Sequence, residues 1–217
     1  GLGSNDAGAS LVSLFQVYRH LSMTTQSYNL IFLASCEEEV SGKNGIESVL
    51  PQLPPIALGV VGEPTEMQPA IAEKGLMVLD VTAHGKSGHA ARNEGENAIY
   101  KLLPDIEWFR TYKFPKESPI LGPVKMSVTQ INAGTQHNVI PDLCSIVVDI
   151  RSNECYSNEE LFAEICQHIQ SEAKARSFRL NSSSIPSDHP FVKRAIELGK
   201  VPFGSPTLSD QALMPFP

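Results

Sequence analysis

The sequence predicts an α/β fold that carries an inserted α+β domain. Three observations point there. Over residues 9–61, helical spacing alternates with short continuous apolar runs, as in strands covered on both faces. Over 76–181 the order becomes β-α-β-β-α-β, the split pattern of a compact ferredoxin-like domain. A helix pattern then returns after Pro190. The α/β domain is therefore read as discontinuous, over 1–72 and 185–217, with 73–184 inserted.

Each element has a local reason. In 9–23, Leu11, Leu14, Phe15, Tyr18 and Leu21 recur at helical spacing. The runs 28–35 (YNLIFLAS) and 56–61 (IALGVV) have strand length and no polar alternation, which suits buried parallel strands. Between them, 45–50 is a short helix candidate broken by Pro51, Pro54 and Pro55. In the insert, 76–83 reads as a strand. The segment 97–112 reads as a helix with Ile99, Leu102, Leu103, Ile106 and Phe109 on one face despite Pro104. Residues 124–133 and 144–151 alternate as strands. A Ser/Asn cap with acidic residues behind it opens a helix over 158–175, and 178–181 is expected to be a last short strand.

Composition excludes several functions. Asp and Glu outnumber Lys and Arg by 24 to 17, a formal charge of −7, which argues against a nucleic-acid binder or a protein held on an anionic membrane. No apolar run reaches spanning length, and no signal peptide is visible. Cys36, Cys144, Cys155 and Cys166 form no CxxC pair and read as cytoplasmic thiols. The chain begins in a glycine-rich turn and stops at Met-Pro-Phe-Pro, so it is expected to be an internal piece of a longer protein.

Three acidic positions sit at or next to the carboxyl ends of the expected strands or before a helix, where α/β proteins place ligands. They are Asp6, the run Glu37-Glu38-Glu39, and Glu63 between Gly62 and Pro64. Carboxylates gathered at one edge repel each other unless a cation is present, so a divalent ion is expected.

The motifs Asn-Asp-Ala-Gly (5–8), Glu-Glu-Glu-Val-Ser-Gly (37–42), Gly-Glu-Pro-Thr (62–65), Gly-Lys-Ser-Gly-His-Ala-Ala (85–91) and Gly-Glu-Asn-Ala-Ile (95–99) occur in this order. Together they resemble the dizinc amidohydrolases. That family includes acetylornithine deacetylase, succinyl-diaminopimelate desuccinylase, aminoacylase and glutamate carboxypeptidase. The resemblance implies a zinc-peptidase-like catalytic domain with an inserted lid that dimerises. It implies metal-dependent hydrolysis of an N-acyl amino acid, with N-acetylornithine of arginine biosynthesis the first choice and acetyl- or succinyl-citrulline or -ornithine close behind. A di- or aminopeptidase of the same fold is the alternative, as is an inert piece whose lid only dimerises.

Residue by residue, the resemblance makes Asp6 the carboxylate that bridges two Zn2+ ions, for which Co2+ can substitute. Glu38 becomes the general base, Glu39 a terminal ligand and Glu63 the terminal ligand of the other ion. A register of Glu37 and Glu38 is the competing choice. Two expected histidine ligands fall outside the sequence, since neither His20 nor His189 sits in a matching motif. In the lid, His89 matches a histidine that reaches into the partner's site in a homodimer, Asn138 a substrate-contacting asparagine, and Arg151 the arginine that holds a substrate carboxylate. The sequence departs from the desuccinylases after Ser209-Asp210, where Gln211 and Ala212 replace a Gly-Arg pair.

Overall fold

The computed structural model describes residues 3–216. Its elements in chain order are α1 (Ser10–Leu21), α2 (Ile46–Val49), β1 (Ala70–Glu73), β2 (Met77–His84), β3 (Gly88–His89), α3 (Ala98–Thr111), β4 (Lys125–Ala133), β5 (Val139–Ile140), β6 (Leu143–Arg151), α4 (Asn158–His168), β7 (Glu172–Ala175), β8 (Ser183–Ser184), α5 (Pro190–Glu197) and β9 (Phe203–Ser205). The result is a mixed α/β architecture. Among the described residues, no helix is long and apolar enough to cross a membrane. The chain divides into two compact units. One comprises the described residues up to Ile71, Ile185–Phe203 and those from Ser209 onward; the other comprises Ala72–Ser184 and Gly204–Leu208.

The second unit is built on an antiparallel sheet of order β4-β6-β2-β7. Alternation produces its core directly. Met77, Leu79, Val81 and Ala83 of β2 and Cys144, Ile146, Val148 and Ile150 of β6 all face the same buried layer. Helices α3 and α4 cover that layer with Ala98, Leu102, Phe109, Leu161 and Ile165. Helix α3 starts where the Asn97 side chain accepts the Ile99 N–H at 2.9 Å. Pro104 withdraws one helical donor, from the Tyr100 carbonyl, and Tyr100 is 71% exposed, so water can replace that donor. Helix α4 starts with a reciprocal cap. Ser157 Oγ accepts from Glu160 N at 3.1 Å, and Glu160 Oε2 accepts from Ser157 N at 2.8 Å.

Helix α4 ends at His168, short of the expected 175, and the last strand of the sheet is β7 rather than 178–181. The sequence Glu-Ala-Lys-Ala is helix-prone, but the edge of β2 supplies four in-register partners, from Leu79↔Ala175 to Thr82↔Glu172. Buried Asp105 fixes the intervening turn by accepting Gln170 N and Ser171 N, each at 3.0 Å. Arg176 then grips Asp80 through two hydrogen bonds of 2.9 and 2.8 Å, which hold the Asp80 carboxyl below its ordinary range.

In the first unit, the expected strands 28–35 and 56–61 do not form. A strand exists only where its N–H and C=O groups meet a neighbouring ladder, and no such partner lies beside either run among the described residues. The run 28–35 still packs, through Phe32, on Phe15 and Tyr18 of α1 with ring centroids 5.3 and 5.9 Å away.

Candidate active site

A two-residue ribbon beyond one end of the sheet brings together two expected site residues. Strand β3 pairs with β5 in the register Gly88↔Ile140 and His89↔Val139, and Ala90 N donates to the Asn138 carbonyl at 2.9 Å. His89 and Asn138, far apart in sequence, thus become neighbours on adjacent strands. The ribbon hangs from a loop closed at its base by Lys86 and Glu96, whose backbones exchange two hydrogen bonds of 2.8 Å. Glycine is required twice inside it. A Cβ on Gly88 would stand 2.8 Å from the Glu94 carbonyl oxygen, and Gly95 holds φ +84° against the Lys86 carbonyl.

The His89 ring is exposed, and its orientation is set locally. Nδ1 accepts the Ala91 N–H at 3.1 Å, so the neutral ring carries its proton on Nε2. The His89 backbone N–H donates to Glu94 Oε1 at 3.0 Å. Beside the ribbon opens a cleft of about 390 Å3 whose polar lining includes Ser87, Asn132, Thr135, Asp142 and Ser145.

Arg151 lies at the other end of the same sheet. Its Nε and Nη2 donate to the two carboxylate oxygens of Asp149 at 2.8 and 3.1 Å, and each side chain is 30% exposed. The pair uses one edge of the guanidinium and leaves the Nη1–Nη2 edge outside it. The antiparallel register from Met77↔Ile150 to His84↔Leu143 separates Arg151 from the ribbon end of β6 by eight residues, about 27 Å at ~3.4 Å per residue.

In the first unit, Asp6 is exposed in the turn before α1, where Gly8 N donates to the Gly3 carbonyl at 3.0 Å. The Glu63 segment is seated on the first turns of α1. Ser10 Oγ donates to the Glu63 carbonyl at 3.2 Å, and a Cβ on Gly62 would meet Leu14 at 2.8 Å and Ser10 at 3.0 Å. Glu37 sits at φ 62°, and its carboxylate accepts from Asn44 N at 3.1 Å and Asn44 Nδ2 at 3.3 Å, bracing its own loop. Glu38 and Glu39 follow in a short 3-10 turn. Asp210, missed in the sequence reading, is buried and accepts Ser35 Oγ at 2.6 Å, just ahead of this loop. Its signal was the Ser209-Asp210 pair, noted above only for the residues that follow it.

Among the described residues, no group of three or more His, Cys, Asp or Glu side chains is gathered to hold a metal ion. The expected donors Asp6, Glu39 and Glu63 are all carboxylates, without the imidazole that a zinc pair favours. The donors present do not fit a dizinc centre.

Residues 71–177 match the peptidase dimerisation domain. Over 160 residues the chain is 30% identical to a succinyl-diaminopimelate desuccinylase of Corynebacterium glutamicum, covering 70% of this chain and 43% of that protein. It is 31% identical over 187 residues to a probable carboxypeptidase of Talaromyces marneffei, covering 80% and 41%. It is 28% identical over 160 residues to an acetylornithine deacetylase of Proteus mirabilis, covering 70% and 41%. A tripeptidase structure from Staphylococcus aureus superposes with a TM-score of 0.50 at 17% identity, over 66% of this chain and 41% of that one, a likeness of fold. The chain spans less than half the length of the curated relatives it matches.

Proposed function

From the premise that the chain belongs to the M20 peptidase family, we propose that the whole protein is a homodimeric amidohydrolase that cleaves the acyl amide of a small N-acyl amino acid. N-acetylornithine is the first substrate to test. A peptide substrate is the second reading, favoured by the 31% identical relative named a probable carboxypeptidase.

The observation that carries the proposal is the position of the lid residues. His89 and Asn138 share one ribbon beyond the Leu143 end of β6, while Arg151 lies at the other end of that strand, about 27 Å of strand from Leu143 and more than the length of a small substrate. This spread along the sheet supports a site that draws the three from two chains. Two chains joined through this domain can form it, each lending its ribbon to the site that uses the other's arginine. The edge strand β4 offers unpaired backbone groups for such a junction.

Within that arrangement, Glu38 takes the proton of the attacking water and passes it to the leaving amine. The bracing of Glu37 by Asn44 supports Glu38, with Glu39 beside it, over the competing register. The His89 Nε2–H donates to the developing oxyanion, and Asn138 holds the acyl side. The outer edge of Arg151, oriented by Asp149, grips the substrate carboxylate. Members of the family are generally metal-dependent, with zinc the usual ion. Asp6, Glu39 and Glu63 are the carboxylates this chain would contribute, and they carry no step here because the donor set does not fit.

Mixing tests the proposal. A His89→Ala chain and a Glu38→Gln chain, each nearly inactive on N-acetylornithine or a dipeptide, should regain about one quarter of wild-type activity after subunit exchange. Half the dimers are then mixed, and each holds one intact site of two. No recovery after demonstrated exchange would overturn it.

A further inference from the structure

We propose that Glu94 is a positioning residue for His89. This rests on the reading of His89 as the oxyanion donor. A short loop rarely holds an exposed ring in one orientation by itself, and here three hydrogen bonds converge on His89. Glu94 Oε1 accepts its backbone N–H at 3.0 Å, its carbonyl accepts Arg92 N at 2.9 Å, and its Nδ1 accepts Ala91 N at 3.1 Å. The last two tie the ring to the turn 89–92. The first ties that turn back across the loop towards the Lys86–Glu96 closure, while Ala90 N holds its start to β5 through the Asn138 carbonyl. Gly88 and Gly95 allow the two limbs to approach closely enough for a glutamate side chain to span them, with the Glu94 carbonyl oxygen 2.8 Å from where a Gly88 Cβ would stand.

The ion pair of Glu94 with Arg92, at 3.9 Å between side chains 49% and 71% exposed, contributes little. The function of the carboxylate is as an acceptor. Its loss removes the hold on the loop side of the turn and loosens the grip of Ala91 N on Nδ1. The neutral ring can then move its proton to Nδ1, leaving Nε2 an acceptor facing a developing oxyanion.

The test uses the whole protein and whichever of N-acetylornithine or a dipeptide it hydrolyses. Glu94→Ala should lower kcat by between about tenfold and a hundredfold, with KM changed less than about twofold, as expected of lost alignment. Glu94→Gln keeps an oxygen acceptor and should restore most of the rate. In a His89→Ala background, Glu94→Ala should add nothing. Histidine 15N shifts supply a readout independent of turnover: His89 should show the Nε2–H tautomer in the wild type and a mixture in Glu94→Ala. An unchanged kcat and tautomer in Glu94→Ala, with His89→Ala strongly impaired, overturns the role of Glu94 and leaves that of His89 standing. An unimpaired His89→Ala overturns both. An equal loss in both backgrounds shows that Glu94 acts by another route and also overturns the proposal.

Discussion

Replacing Asn158 tests whether one buried amide locks the second unit. Asn158 is fully buried at the start of α4, and its Nδ2 faces three carbonyls: Leu180 at 2.9 Å, Phe178 at 3.2 Å and Leu76 at 3.3 Å. Two of these have a second donor. Leu76 N reaches the Leu180 carbonyl at 2.9 Å, and Asn181 Nδ2 reaches that of Phe178 at 3.2 Å. Asn158→Ala therefore orphans mainly the Leu76 carbonyl, a cost of about 1–3 kcal/mol. The deletion also removes Asn158 Oδ1, itself buried without a partner, which offsets part of that cost. The net expectation is about 2 kcal/mol. Asn158→Asp keeps the shape but turns a carboxylate toward the same three carbonyls. It should cost more than about 3 kcal/mol at neutral pH and recover partly in acid, where a protonated carboxyl can donate again. Trp108, the single tryptophan, lies in α3 against this core, so its fluorescence during urea unfolding reports the unit. An Asp variant as stable as the Ala variant, or an Ala variant within about 0.5 kcal/mol of wild type, would refute the lock.

Two further outcomes follow from specific contacts. The Tyr112 hydroxyl donates to Glu164, and this bond, with burial, pushes the phenol up from 10.0 to about 12. A folded value above the unfolded one means that the stabilisation is whole below pH 10 and is lost as the pH climbs from 10 to about 12. The site is half-buried, so about 1 kcal/mol is expected after screening, and Tyr112→Phe should flatten that limb of the stability profile. Arg151→Lys replaces a planar fork by a point charge, so KM for a carboxylate-bearing substrate should rise about tenfold with kcat little changed. An unchanged KM would remove Arg151 from the site.

What could be read from the sequence tracks where the physics is local. The alternation of β2 and β6, the cap of α4 and the apolar stripe of α3 each depend on residues within one element, and the strands and helices of the second unit were legible from them. Residues 172–175 were not, because their helical preference yields to a partner strand some ninety residues earlier. The runs 28–35 and 56–61 failed in the opposite sense: strand-forming side chains do not make a strand without a ladder. At the candidate site, the importance of His89, Asn138 and Arg151 came from motif resemblance. Their grouping, two at one end of a sheet and one at the other, is a consequence of register that no motif carries. Glu94 went unnoticed because its acceptor function depends on the close approach of Gly88 and Gly95.

The same register makes the dimer reading sharper than simple rescue. Variants at opposite ends of the sheet should complement, because His89→Ala damages the ribbon end and Arg151→Ala the other. In a mixed dimer, one site then takes its ribbon from the chain with intact His89 and Asn138 and its arginine from the chain with intact Arg151. Variants at the same end should not complement. In a His89→Ala and Asn138→Ala mixture, one ribbon lacks the histidine and the other lacks the asparagine, so neither site of the mixed dimer is whole. The expected activities are therefore about one quarter of wild type for the first pair and background for the second, measured after the same exchange. If both pairs recovered equally, Asn138 would be dispensable. If neither recovered, all three residues would serve one chain's own site. That outcome would overturn the cross-chain reading.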